Sequence, residues 1–150
     1  MKKLLGTSFI GKLLTILVLS LLLTSGAKAG CDDAPTDGVD YSNCQFSEGQ
    51  DLSRAYIPNS NLSFIRTNLY EANLEGGIFE KANFSSANLT RVNFKGASLI
   101  ETNFSNSNLF EADLMGANIL NANFEGANLN NTVWIDGTKC SLGSVGKCNK

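Results

Sequence analysis

The chain has 150 residues, with 12 Lys and Arg against 14 Asp and Glu and no histidine. That length holds one domain with a modest core, and the mildly acidic balance disfavours a nucleic-acid partner, which needs a cationic surface. The absence of histidine removes the commonest general base and the commonest metal ligand.

The first segment reads as a targeting signal. Lys2 and Lys3 form a basic start, Leu13 to Leu23 form an apolar run broken only by Thr15 and Ser20, and Ala27-Lys28-Ala29 closes it. This pattern predicts a signal peptide over 1–29, cleaved between Ala29 and Gly30, and a periplasmic or extracellular location. The run is shorter than the ~18 residues a membrane span usually needs, so no stable membrane insertion is expected after cleavage. Cys31 suggests a lipid anchor, but Lys28 stands where a lipoprotein signal wants an aliphatic residue. Cleavage removes four lysines, leaving 8 Lys and Arg against 14 Asp and Glu, a net charge of −6.

All four cysteines, Cys31, Cys44, Cys140 and Cys148, follow that signal. An even count in an exported chain predicts disulfides. Of the three pairings, Cys31 with Cys44 and Cys140 with Cys148 is the local one. Acylation of Cys31 would leave Cys44 without its obvious partner. The segment between the first two carries Asp32, Asp33, Asp37 and Asp40, whose spacing is that of a solvated acidic loop rather than of a calcium site.

From Thr67 the chain falls into fives. The third slot, from Leu69 through Leu74, Phe79 and Phe84 to Trp134, is always large and apolar. The first slot holds only Ala, Gly, Ser, Thr and one Val, and the second is Asn in ten of fourteen units and Asp at Asp113. Neither the helical nor the strand period fits this code. One large and one small inward position per five residues imply a short straight run followed by a tight bend, so the chain must coil and bury its stripe against the next coil. Every fourth unit repeats in kind: Phe84, Phe104 and Phe124 form one column, Leu69, Leu89, Leu109 and Leu129 another, and Gly76, Gly96 and Gly116 a third. Four units per turn give a square cross-section.

The units Ala72-Asn73-Leu74, Ala87-Asn88-Leu89, Ala112-Asp113-Leu114 and Ala127-Asn128-Leu129 resemble the A-(D/N)-L-x-x consensus of the pentapeptide-repeat proteins. The resemblance covers Thr67 to Asp136, with weaker repeats expected around Leu52, Ile57 and Leu62. It implies an all-β, right-handed quadrilateral β-helix of about four coils, with slots one and three facing inward. The expected organisation is a signal peptide over 1–29, an N-terminal cap with degenerate repeats over 30–51, the solenoid over 52–136 and a C-terminal cap over 137–150. The caps are similar to the cysteine-bearing tails of exported bacterial members. The seven-residue step from Leu62 to Leu69 predicts a bulge at Phe64 to Arg66, and Tyr41 and Phe46 are candidate centres of a capping coil. Asn columns are expected to bond along the axis, and Glu71, Arg91 and Glu111, like Lys81 and Glu101, to form charge ladders between coils. Gly76, Gly77 and Gly96 read as corner residues.

Outward slots should be polar, so apolar fourth-slot residues stand out: Tyr70, Ile100, Phe110, Met115, Leu120 and Ile135. On the twenty-residue register Ile100 lies under Leu120, and Met115 under Ile135. Ile100, Phe110, Met115, Leu120 and Ile135 thus form a candidate interaction surface, unless the C-terminal tail covers it. No catalytic residue, cofactor-binding residue, cofactor or metal site is expected, and the chain reads as non-enzymatic. The favoured function is an exported scaffold or interaction module that binds another protein or a second copy as a homodimer. One alternative that the family resemblance implies is a DNA mimic that inhibits or protects a topoisomerase, disfavoured by export and by the mixing of acids with Lys and Arg. Another is a ligand-binding or enzymatic periplasmic protein, for which no cleft is evident.

Overall fold

The computed structural model describes residue 31, residues 40–56 and residues 62–150. The signal segment, Asp32, Asp33, Asp37 and the expected repeat centre Ile57 lie outside the described residues.

Each five-residue unit is one short strand and one tight turn. At the corner after Phe84, the Ala87 amide donates to the Phe84 carbonyl at 3.1 Å, and Ser86 takes a φ of 59°. A single positive φ at the third turn residue is the signature of a type II turn. It recurs along the chain with Glu71, Lys81, Arg91, Glu101 and Asn106 as readily as with Gly76 and Gly96. The second slot braces the corner: the side-chain oxygen of Asn83 accepts from the Ser85 amide at 3.0 Å, and that of Asp113 from the Met115 amide at 3.0 Å. Asn and Asp are favoured here because their short side chains close such a turn on their own backbone.

Coils then pair in parallel. The Phe84 amide donates to the Asn103 carbonyl at 2.8 Å, the Asn103 amide to Ala82 at 2.9 Å and the Ser86 amide to Ser105 at 2.9 Å. Four bridge columns result, through Asp40, Ser63, Asn83, Asn103 and Asn123; Gln45, Asn68, Asn88, Asn108 and Asn128; Asp51, Asn73, Asn93, Asp113 and Val133; and Tyr56, Ile78, Ser98 and Asn118. These are the first to fourth faces of a right-handed quadrilateral β-helix. Side-chain amides also bond along the axis, Asn88 to Asn68 at 2.7 Å, Asn93 to Asn73 at 3.1 Å and Asn128 to Asn108 at 2.8 Å. The second column is interrupted once, where the Asn108 amide bonds Thr90 Oγ1 at 2.9 Å instead.

The core is organised around a stack of rings. Tyr41, Phe64, Phe84, Phe104 and Phe124 lie one above another with centroids 5.4, 4.7, 5.4 and 5.1 Å apart. Phe79 and Phe94 meet the stack edge-on, so the rings satisfy both preferred aromatic geometries. Small first-slot residues fill the remaining space, and the buried Thr102 and Thr132 bond their hydroxyls to the carbonyls of Phe79 at 2.9 Å and Leu109 at 2.7 Å.

The expected fault at Leu62 to Leu69 is not there. Leu62 occupies a first slot and Phe64 a third slot, both fully buried, in register with Ala82 and Phe84. Leu62 is therefore not a repeat centre. Two apolar residues sit two apart in this unit, and the large first-slot Leu62 disguised the frame. The irregularity lies upstream, where bridges step by 22 or 23 residues instead of 20: Tyr56 pairs with Ile78 and Gln45 with Asn68. One extra residue falls between Gln45 and Asp51, and two fall between Tyr56 and Leu62. Tyr41 and Phe46 both sit in the core of that first coil, Tyr41 beneath Phe64. Gly77 also departs from expectation. It is a buried first-slot residue, and the Phe79 ring occupies the space a Cβ would need.

Disulfides join Cys31 to Cys44 and Cys140 to Cys148. The C-terminal tail folds back as antiparallel chain over the second and third faces, pairing Val145 with Asn128 and Lys139 with Val133. Asn130 anchors it, its Oδ1 accepting from the amides of Gly143 at 2.6 Å and Ser144 at 3.0 Å. Lys150 pairs with Asp136, and together with Thr138 it holds the Asp136 carboxyl well below the usual carboxylate range. A carboxyl lowered in the folded state adds stability above its unfolded pKa, and that contribution is lost as pH falls through the folded one.

Three outcomes are expected from equilibrium unfolding. Phe84→Ala loses ~3–5 kcal/mol, because it opens a cavity in the ring stack. Ser86→Gly gains up to ~1 kcal/mol, because a left-handed residue loses its Cβ conflict. The fall in melting temperature between about pH 5 and pH 2 is smaller in Asp136→Asn than in the parent protein.

Candidate protein-interaction surface

The fourth slot of every unit stands at a corner, where its side chain leaves the core. Two corners border the fourth face. One carries Glu75, Lys95, Met115 and Ile135 in ascending order, the other Glu80, Ile100 and Leu120. The vertical relations are those of the coil register: the Gly116 amide donates to the Ile135 carbonyl at 2.9 Å, and the Glu101 amide to the Leu120 carbonyl at 2.8 Å. Charge in the lower coils thus gives way to apolar side chains in the upper ones.

Leu120 is 60% exposed, Met115 47% and Ile135 36%, while Ile100 and Phe110 are half-buried. Phe110 stands apart on the corner between the second and third faces. The tail does not cover the exposed three. It lies across the end of the coil; Gly137 comes close to the Met115 sulfur, and Lys150 pairs with Asp136 beside Ile135. Between the two apolar corners the fourth face is flat. Its surface residues Ser98 and Asn118 are small or short, and Gly76, Gly96 and Gly116 leave one border bare. The same turn position holds Glu, Lys, Arg, Ser or Asn at the other corners, so the backbone does not demand this glycine column.

Some of the charges are neutralised in place. Arg91 lies between coils, with Nη1 3.1 Å from Glu71 and Nε 2.8 Å from Glu111, and it also donates to the Tyr70 hydroxyl at 2.9 Å. Tyr70 and then Arg91 hold the Glu71 carboxyl below its ordinary range, and Glu111 and Glu71 raise the Arg91 guanidinium further. Lys95 pairs with Asp113 at 3.0 Å. The ladder expected between Lys81 and Glu101 does not close. Neither forms an ion pair among the described residues, and Ser98 bonds Glu80 instead. Half-exposed pairs of this kind contribute below ~1 kcal/mol each.

Sequence reasoning passed over three exposed apolar side chains, Tyr56 at 71%, Leu142 at 77% and Val145 at 60%. They fall outside the regular five-residue code, and Leu142 and Val145 could have been noticed only as apolar residues in a polar tail. Among the described residues no cluster of metal-ligating side chains forms, and no helix is long and apolar enough to cross a membrane.

The family profile described as pentapeptide repeats matches eight copies, over residues 67–106 and 93–131. The chain is similar in structure to a pentapeptide repeat protein of the Arabidopsis thaliana thylakoid lumen, with 24% identity and a TM-score of 0.62 over 71% of this chain and 74% of that one. The pentapeptide repeat protein Rfr23 of the cyanobacterium Cyanothece 51142 shares 32% identity over 69% of this chain and 67% of that one, with a TM-score of 0.34. QnrB1, a plasmid-mediated fluoroquinolone resistance protein, shares 16% over 73% and 74%, with a TM-score of 0.33. Among curated proteins, none matches the sequence closely enough to count as a relative. The match to the repeat profile, together with the repeat code and the square coil, establishes that the chain belongs to the pentapeptide-repeat family.

Proposed function

We propose that the chain is a non-enzymatic, exported interaction module that docks a protein partner, or a second copy of itself, on the wall formed by the fourth face and its two apolar corners. The observation that carries this reading is the exposure of Met115, Leu120 and Ile135 around a flat strip whose own surface residues, Ser98 and Asn118, are small or short and uncharged. Apolar surface gathered on one wall of a small soluble rod is the usual mark of a contact site. A convex rod is poorly shaped to position a reacting group, which ordinarily sits in a cleft. Export is supported by the basic-then-apolar start of the sequence and by the two disulfides, which persist in oxidising compartments.

A topoisomerase-directed DNA mimic is the weaker reading. Such a surface needs an unbroken acidic face, whereas Arg91 sits between Glu71 and Glu111 and Lys95 neutralises Asp113.

A photo-crosslinker placed in cells at Met115 is expected to give one defined adduct, and the same group at Ser85 on the opposite corner none. The adduct mass distinguishes a second copy from another protein. Equal labelling from both positions, or none from either, would sink the docking wall.

A further inference from the structure

The terminal coil is closed on two faces and open on two. The tail supplies the second and third faces with partners: the Leu129 amide donates to Ser144 at 2.9 Å, Asn131 to Cys140 at 3.0 Å, and Cys140 back to Thr132 at 2.9 Å. The fourth and first faces receive nothing. One coil below, the amides of Leu99, Glu101 and Phe104 donate upward to Asn118, Leu120 and Asn123 at 2.8, 2.8 and 2.7 Å, and the carbonyls of Ala97 and Thr102 each accept at 2.9 Å. In the terminal coil the matching amides of Ile119, Asn121 and Phe124, and the carbonyls of Ala117 and Ala122, have no hydrogen-bond partner among the described residues. Side chains repeat the message. Ile119 and Ala122 are only partly buried, where Leu99 and Thr102 beneath them are fully buried.

An open edge carrying regularly spaced donors and acceptors over an apolar floor is a template for one more strand. Main chain is the one chemistry that satisfies all five groups at once. We propose that this edge is a strand-addition site for an extended segment of a partner polypeptide, pairing in parallel with residues 117–125. The segment places two apolar side chains, five residues apart, over Ile119 and Phe124, with a small residue over Ala122 between them. It carries Lys or Arg where it passes Glu125, whose carboxylate has no ion pair among the described residues. The Glu71–Arg91–Glu111 ladder shows that opposite signs stack well on successive coils here.

A second copy stacked end to end does not fit this end. The tail hairpin stands over the other half of it, with Leu142 and Val145 exposed and Gly146 packed on Gly126 at the corner where the open edge stops. A single strand fits beside that hairpin; a whole coil does not. The proposal builds on the reading of the chain as an interaction module, but it uses the end of the rod rather than its side wall.

The test uses a labelled peptide, Ala-Ser-Leu-Ile-Glu-Thr-Asn-Phe-Lys-Asn, which is the sequence of residues 97–106 with Ser105→Lys. It mimics the missing coil and sets its lysine above Glu125. Saturable binding to the full protein is expected by fluorescence anisotropy, weakened about tenfold or more by Ile119→Pro. That substitution removes an amide that no internal hydrogen bond uses, so its circular dichroism should match the parent. Should Ile119→Pro disturb the fold, a peptide N-methylated on the amides that face the edge gives the same discrimination with the unaltered protein. No binding, binding indifferent to both changes, or a dimer in sedimentation that Ile119→Pro dissociates would each overturn the proposal. Failure here with the Met115 adduct intact leaves the side wall standing, and the converse result leaves the edge.

Discussion

Everything in this protein depends on the hydrogen bonds that hold each unit to the one twenty residues later. Because amide and carbonyl pairs such as Phe84–Asn103 and Asn103–Ala82 lock the coils in register, every position sits directly over its counterpart in the coil below. Ring stacks on ring, amide on amide and acid on base. Adjacent strands in a sheet lie about 4.8 Å apart, close to the separation at which aromatic rings and side-chain amides attract one another. The ring column from Tyr41 to Phe124 and the asparagine ladders therefore come from one register, which the first coil keeps by placing its extra residues between the paired positions.

The second-slot asparagine links the local and the long-range parts of that design. Its oxygen closes the turn of its own unit, as Asn83 does for Ser85, and its amide reaches the next coil, as Asn103 does for Asn83. Aspartate performs the first task and not the second, since a carboxylate cannot donate. Asp51 and Asp113 fit this division: both brace their turns, and Asp51 receives the Asn73 amide. The corners carry a cost, because non-glycine residues are held there in the left-handed region. Hydrogen bonds on both sides of each corner offset it.

A rod of this kind has uniform walls unless its outward residues break the pattern, and its ends are its only other distinctive surfaces. Here both departures fall in the same half. Apolar corners gather around the upper part of the fourth face, and the fourth and first faces of the last coil end without a partner strand. Leu120 belongs to both regions, at the top of one apolar corner and within the open edge. The corner carrying Glu71, Arg91 and Glu111, by contrast, presents charges that pair with one another. On the proposed reading, recognition and scaffold divide along the axis of the coil.

Fold was legible in the sequence because the repeat is short-range information: five residues suffice to say which side chain turns inward and where the chain bends, and comparison at twenty residues says how many bends make a turn. The likeness of Phe84, Phe104 and Phe124 showed the column before any coordinates did. Where two frames were locally plausible, as at Leu62 and Phe64, only the coil above could choose, since burial against Ala82 and Phe84 decides which of two apolar residues is the centre. The candidate interaction surface was visible in the sequence only as a set of apolar corner residues, because exposure is a property of what else lies nearby. Met115, Leu120 and Ile135 stay open, and Phe110 and Ile100 do not to the same degree, because of where neighbouring corners and the tail come to rest. The unpaired edge was invisible altogether. Backbone amides look alike in a sequence, and only the antiparallel return of the tail over two faces determined which two were left without a partner.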